Sequence, residues 1–226
     1  MLYRFAHRWL SWWPIGARRR RAGALAPLRI GYYYHAFPVP SETFIVREIG
    51  ALERIAIAVE VFAHRPPDPE NLGPEARRRI ATTTYIDPID PQRLRGYRRR
   101  FLRRRPLTVA NLFLYNAVRS HRPHSKPIHD RELFDRAVYL AGLLQDRGIT
   151  HVHVPWAKAD AAIAMMAARL IDIPYTVQAR ASDLHRDTSQ IGLRERLRNA
   201  DCVVTNAEFN RPVIASLLAD DVRGRQ

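Results

Sequence analysis

Several short segments of the chain hold side chains that can do chemistry. Ser41, Glu42 and Thr43 stand where a helical apolar spacing begins. The free N–H groups of a helix start attract anions and hydroxyls, and Glu42 can accept from ligand hydroxyls. The same residues also make an ordinary helix start, with Ser41 as N-cap and an acidic first turn. His151 and His153 form a His-x-His pair, whose rings share one face of a strand. Such a pair can chelate a metal, but no carboxylate or third histidine is near in sequence. Polar edging of a sheet that carries the next loop is the expectation. In that loop Trp156 can stack on a sugar ring and Lys158 can meet phosphate. Packing, with a solvated cap at Asp160, is the alternative. Asp183 and His185 follow a strand, and a loop histidine there is ordinarily exposed. Asn206 and Glu208 either begin a helix or bring Glu208 to a cleft. Arg93–Arg105 holds eight arginines in thirteen residues. It can face anionic lipid, nucleic-acid phosphates or plain solvent.

The elements that must position these residues follow from hydrophobic spacing. Leu28–Tyr34 reads as a buried strand. Pro38 and Pro40 make a turn, and Phe44, Ile45, Ile49 and Leu52 share one helical face. Ala58–Ala63 reads as a second strand. This is a strand–helix–strand unit, and hence parallel pairing. Residues 64–74 read as a loop and Thr82–Ile86 as a short strand. Residues 107–119 and 132–147 read as helices, separated by the histidine- and proline-containing segment 121–129. From Thr150 the alternation is regular. Strands fall at His151–Val154, Tyr175–Gln178 and Cys202–Thr205, with helices at Asp160–Ile171, Leu193–Asn199 and Glu208–Ala219. The pattern predicts an α/β fold with a Rossmann-like, doubly wound parallel sheet. Such sheets bind ligands beyond the carboxyl ends of their strands. That places the interest at 35–43, 155–160, 179–185 and 206–210.

Composition narrows the classes. A chain of 226 residues with 46% hydrophobic and 26% charged side chains can bury a full core. No apolar run is long enough for a membrane span. The single cysteine, Cys202, excludes a disulfide framework and a cysteine-based zinc site. The formal net charge of +15 is concentrated in residues 1–149, which hold 27 basic and 13 acidic side chains. Partners compatible with this charge are nucleic acid, an anionic membrane surface or a phosphorylated substrate. The arginine run has only Tyr97 and Phe101 as interleaved aromatics and belongs to no nucleic-acid module, which weighs against nucleic acid. Residues 1–27 read as a basic, aromatic extension, either a tail or an interfacial helix carrying Leu2, Phe5, Trp9 and Trp12. As a signal peptide this segment is poor. After the first strand stands GYYYHAFPVP, not G-x-G-x-x-G, which argues against a nicotinamide-binding domain. No Walker A motif, nucleophile elbow or metalloprotease motif is present.

Three segments resemble family 4 glycosyltransferases: FPVPSETFIVREIGALE (Phe37–Glu53) with VEVFA (Val59–Ala63), His151–Arg186, and ADCVVTNAEFNRPVI (Ala200–Ile214). The similarity spans roughly residues 28–218, with 64–130 matching by position only. The resemblance implies the N-terminal, acceptor-side half of a two-domain GT-B architecture, followed by a truncated linker at 219–226. It implies a retaining, metal-independent transferase. Such an enzyme moves a hexose from a nucleotide-sugar to a saccharide or lipid-linked acceptor in exopolysaccharide, capsule or lipopolysaccharide synthesis in bacteria. No cofactor beyond the nucleotide-sugar donor is implied. The implied location is the cytoplasm, with peripheral attachment to the inner membrane face as an option. Two departures stand out. The donor half, with its Glu-x7-Glu pair, is not in the sequence, so the isolated chain is expected to be inactive. Also, the family's Ala-His-x-x-Asp loop is here Ala179–Asp183 with Arg180 in place of histidine. The resemblance implies that Arg180 and Asp183 face the sugar as catalytic-site residues. It assigns Ser41, Glu42, Thr43, Trp156, Lys158 and Glu208 to substrate binding. Arg180 cannot titrate as a base, but it can neutralise phosphate charge. The competing reading is a non-catalytic module that binds acceptor or membrane, or pairs with a separate donor-domain chain.

Overall fold

A computed structural model describes residues 27–68, 71–118, 130–158, 160–185 and 190–219. Residues 1–26 of the expected N-terminal extension, the segment 121–129 and residues 220–226 lie outside the described residues. Six parallel strands form one sheet in the order β3-β2-β1-β4-β5-β6. They are β1 (Arg29–Ala36), β2 (Ala58–Arg65), β3 (Thr83–Tyr85), β4 (His151–Val154), β5 (Tyr175–Gln178) and β6 (Cys202–Val204). Helices α1 (Thr43–Arg54), α2 (Pro74–Thr82), α3 (Pro91–Arg104), α4 (Pro106–Val118) and α5 (Asp130–Asp146) lie in the first part of the chain. The second part adds α6 (Asp160–Ile171), α7 (Ser182–His185), α8 (Gln190–Arg198) and α9 (Asn210–Ala219). This is the expected doubly wound α/β fold.

The sheet has a core on each face, and β1 shows why. Its side chains alternate, so Tyr32 and Tyr34 pack with Ile45, Val46 and Ile49 of α1 and Ala76 of α2. Tyr33 turns the other way, into the larger core built with α3 to α6. Helix α6 is buried from Ala161 to Ala168 because its five alanines let it lie close between α5 and the sheet. Gly31 is required by the same closeness: a Cβ there would stand 2.8 Å from Leu144 Cδ2.

Two expectations need correction, and one helix was not anticipated. Ser41 does not cap α1. Pro40 opens a 3-10 turn over Pro40–Glu42, so Ser41 falls inside it and Glu42 takes the N-cap position without a side-chain cap bond. The segment after the 64–74 loop is helical: α2 buries only Ala76, too little apolar surface to mark a period in the sequence. His151–Val154 is no sheet edge but the central strand, paired with β1 and β5.

Candidate functional site

In the order 3-2-1-4-5-6 the connections reverse direction between β1 and β4, and a crevice opens there at the carboxyl ends of the strands. The structure has a cavity of about 250 Å³ at this point. One wall comes from the end of β1, Tyr33 to Ala36, with Val39 and Glu42 beyond it. The other comes from the end of β4 and its loop, with Pro155, Trp156, Lys158 and Asp160. Pockets that enclose drug-sized ligands hold roughly 300–1,000 Å³. This one suits a single ring-sized group better than a whole nucleotide-sugar.

Trp156 organises the second wall. Lys158 Nζ sits 4.4 Å from its ring centroid, and the Arg180 guanidinium carbon 4.8 Å. On its other flank Arg180 lies 4.2 Å from the Phe44 ring, so two aromatics hold one guanidinium. Arg180 is 7% exposed, and its Nη2 donates to Pro155 O at 3.2 Å. Among the described residues no carboxylate lies within ion-pair distance of it. Burial pushes its pKa down, while the more distant Glu48, Asp183 and Glu42 oppose that shift. The arrangement leaves a positive charge behind the cavity wall, with no direct counter-ion among the described residues.

Asp183 supports this wall from below. It is 2% exposed, and its Oδ2 accepts from Ala157 N at 2.8 Å. Burial pushes its pKa up to about 6, against the opposing effects of the Ala157 hydrogen bond, Lys158 and Arg196. Arg196 Nε donates to Ala157 O at 2.8 Å, so both polar atoms of the Ala157 backbone are taken by buried side chains. Ala181 adopts φ 43°, the left-handed turn that carries the chain from Arg180 to Asp183.

Beside the cavity lies a polar network across the sheet. Thr176 Oγ1 meets His151 Nε2 at 2.9 Å and His153 Nδ1 at 2.7 Å. Gln178 Nε2 donates to Glu48 Oε1 at 2.9 Å and lies 3.2 Å from His153 Nε2. Tyr32 adds its hydroxyl to Glu48 at 2.9 Å. Burial pushes His153 down to about 3, so its ring is neutral at physiological pH. These contacts occupy both nitrogens of His153, and the His-x-His pair serves the sheet.

No protein-family model matches the chain, and no curated protein matches its sequence. The site therefore stands on its own geometry. Of the residues singled out in the sequence, Glu42, Trp156 and Lys158 line the cavity. Arg180 packs behind Trp156, and Asp183 lies buried below. Ser41 and Thr43 are exposed beside Glu42. Glu208 is elsewhere, exposed and paired with Arg211 at 3.0 Å. His185 leaves the cavity too: it meets Asn210 Oδ1 at 3.1 Å and stacks on Phe209. Sequence reasoning placed Phe44 on the core face of its helix, whereas it is exposed and packs against Arg180 and Trp156. Sequence reasoning missed Glu48, Gln178, His35 and His64. The last two share a signal that was available: a histidine near the end of each of two neighbouring parallel strands.

Proposed function

We propose that this chain is the acceptor-side half of a family 4-like glycosyltransferase and that its cavity receives a phosphorylated or lipid-linked saccharide. The observation that carries the reading is the cavity at the β1–β4 switch point, with Glu42 on one wall and Trp156 and Lys158 on the other. A carboxylate suits sugar hydroxyls, and an ammonium suits phosphate. Two of the three segments with family 4 resemblance reach this cavity, Phe37–Glu53 through Val39 and Glu42 and His151–Arg186 through Pro155, Trp156, Lys158 and Asp160.

In this scheme the residues have distinct roles. Lys158 contacts the ligand phosphate, and Glu42 orients hydroxyls. Trp156 already carries two cations, so it holds them in place and presents an edge to the ligand. Arg180 adds charge through the wall and keeps Trp156 oriented; being permanently protonated, it moves no proton. Asp183 is a positioning residue that fixes the Pro155–Lys158 loop through Ala157 N.

The test is equilibrium binding of a hexose joined through diphosphate to geraniol, with free hexose as control. The diphosphate compound is expected to bind and free hexose to bind far more weakly. Lys158→Ala is expected to weaken binding about tenfold, the loss of one charge-assisted contact. Arg180→Lys keeps the charge but loses the planar stack, and is expected to weaken binding as well. Equal binding of both ligands, or no effect of Lys158→Ala, contradicts the reading.

One further observation favours a membrane-facing module as the second reading. Leu102 and Leu107 are 51% and 85% exposed at the junction of α3 and α4, beside exposed Arg99, Arg103 and Arg104. Exposed leucines among arginines fit an anionic lipid interface.

A further inference from the structure

The ends of β1 and β2 and the first residue of α6 bring three metal-ligating side chains together: His35, His64 and Asp160. One ligand atom of each lies within 4.8 Å of the other two. His35 Nδ1 and His64 Nε2 stand 3.6 Å and 3.8 Å from the same oxygen, Asp160 Oδ1. The strands fix the histidines. Each follows one of the paired residues Tyr34 and Ala63, so they are neighbours across two parallel strands. Their rings lie 5.2 Å apart. His64 is 3% exposed, and His35 and Asp160 line the cavity. The cluster thus runs from a buried ligand to an open space.

We propose that His35, His64 and Asp160 form a binding site for a first-row divalent cation of the zinc type. Two imidazole nitrogens and one carboxylate suit zinc, cobalt or nickel. Magnesium and calcium prefer oxygen ligands alone. Tetrahedral coordination at about 2.0–2.2 Å places ligand atoms roughly 3.4 Å apart. The observed separations reach that value through small side-chain rotations. Three protein ligands leave a coordination position open, and here it faces the cavity, the composition of a site where the metal meets water or ligand. The Tyr33 hydroxyl, which contacts His64 Nε2, is the group a metal displaces from that nitrogen. The nearby cation Arg136 is itself paired with Asp87 at 3.0 Å and Glu132 at 2.8 Å, which moderates its repulsion of a metal. The assignment departs from the metal independence implied by the family 4 resemblance. It rests on three side chains and not on the transferase reading, so either can fail alone.

The test uses the full chain without a histidine tag. Zinc binding is measured by calorimetry, and cobalt binding by its visible d–d absorption. One saturable equivalent is expected, with a tetrahedral or five-coordinate cobalt spectrum. His35→Ala and Asp160→Asn are each expected to weaken binding at least about tenfold. His35 is half exposed, so its variant keeps the fold, checked by circular dichroism and melting temperature. Cys202→Ser is expected to bind as the parent does. Absence of a saturable equivalent overturns the proposal. So does binding that His35→Ala leaves unchanged, because the metal then sits on other histidines.

Discussion

Arg180 is buried, stacked on two rings and, among the described residues, without a direct counter-ion, a combination that costs stability. Asp183, three residues on, is a buried acid whose pKa is raised to about 6. The sign of its effect on stability follows. A carboxyl with a folded pKa above its unfolded value contributes stability that is fully present below about pH 4. That contribution is lost as pH rises through about 6. Asp183→Asn lacks it while still accepting from Ala157 N. The stability of Asp183→Asn minus that of the parent is therefore expected to rise between pH 4 and 6, by up to about 1.4 kcal/mol per pH unit. Urea denaturation at several pH values checks this. His153, lowered to about 3 by burial, gives a slope of the opposite sign in both proteins and cancels from the difference. At this scale the sequence was half informative. Loop position and the resemblance brought out Trp156, Lys158, Arg180 and Asp183. Glu208 lies outside the cavity because a strand-end loop can turn away from the crevice, and here its side chain is exposed beside Arg211.

At the scale of elements, α3 shows how a charge run can be structural on one side and available on the other. Tyr97 and Phe101 are buried, and Arg98, Arg100 and Arg105 pair with Asp135, Asp146 and Asp172. Arg95, Arg99, Arg103 and Arg104 remain on the exposed side. Asp90 caps the helix, with its Oδ1 accepting from Gln92 N at 2.7 Å and Arg93 N at 3.2 Å. The helix packs on α5 only because Gly142 has no side chain, since a Cβ there would overlap the Tyr97 ring. The Tyr97 hydroxyl is tied to Asp146 Oδ2 at 2.7 Å, so the ring cannot easily withdraw. Gly142→Ala is expected to lower stability by about 1–3 kcal/mol in urea denaturation, the cost of overpacking exceeding the helix-propensity gain. The strands and helices α1, α4, α5 and α6 were legible from their apolar spacing, whereas α3 stood in the sequence only as an arginine run, its buried Tyr97 and Phe101 outnumbered by arginines. Helix α2 was not legible, since eight of its nine residues are half-buried or exposed around one buried alanine and show no period that reads as amphipathic. The 3-10 turn at Pro40 was equally hidden, because it depends on backbone geometry that Ser41 and Glu42 do not announce.

Across the whole molecule, strand order decides where chemistry gathers. The reversal between β1 and β4 brings Glu42, Trp156 and Lys158 to one cavity from segments more than a hundred residues apart. Alternation of strands and helices in the sequence predicted a parallel sheet, but only the order located the crevice and joined His35 and His64 to Asp160. The basic first part of the chain presents its arginines and exposed leucines on α3 and α4. Among the described residues no helix is long and apolar enough to cross a membrane. If the α3–α4 corner meets lipid, the chain is expected to co-sediment with vesicles containing phosphatidylglycerol. Leu107→Asp is expected to reduce this binding at a salt concentration where charge-matched duplex RNA no longer binds.

We propose that the cavity at the β1–β4 switch point receives a phosphorylated saccharide. The most direct measurement is nuclear magnetic resonance mapping of backbone amides during titration with the geranyl-diphosphate-linked hexose. Saturable shifts are expected to concentrate at Val39–Thr43, Trp156–Lys158 and Ala179–Asp183 and to be largely lost in Lys158→Ala. Shifts confined to α3 and α4, or an unperturbed Trp156–Lys158 loop at saturation, would contradict this reading.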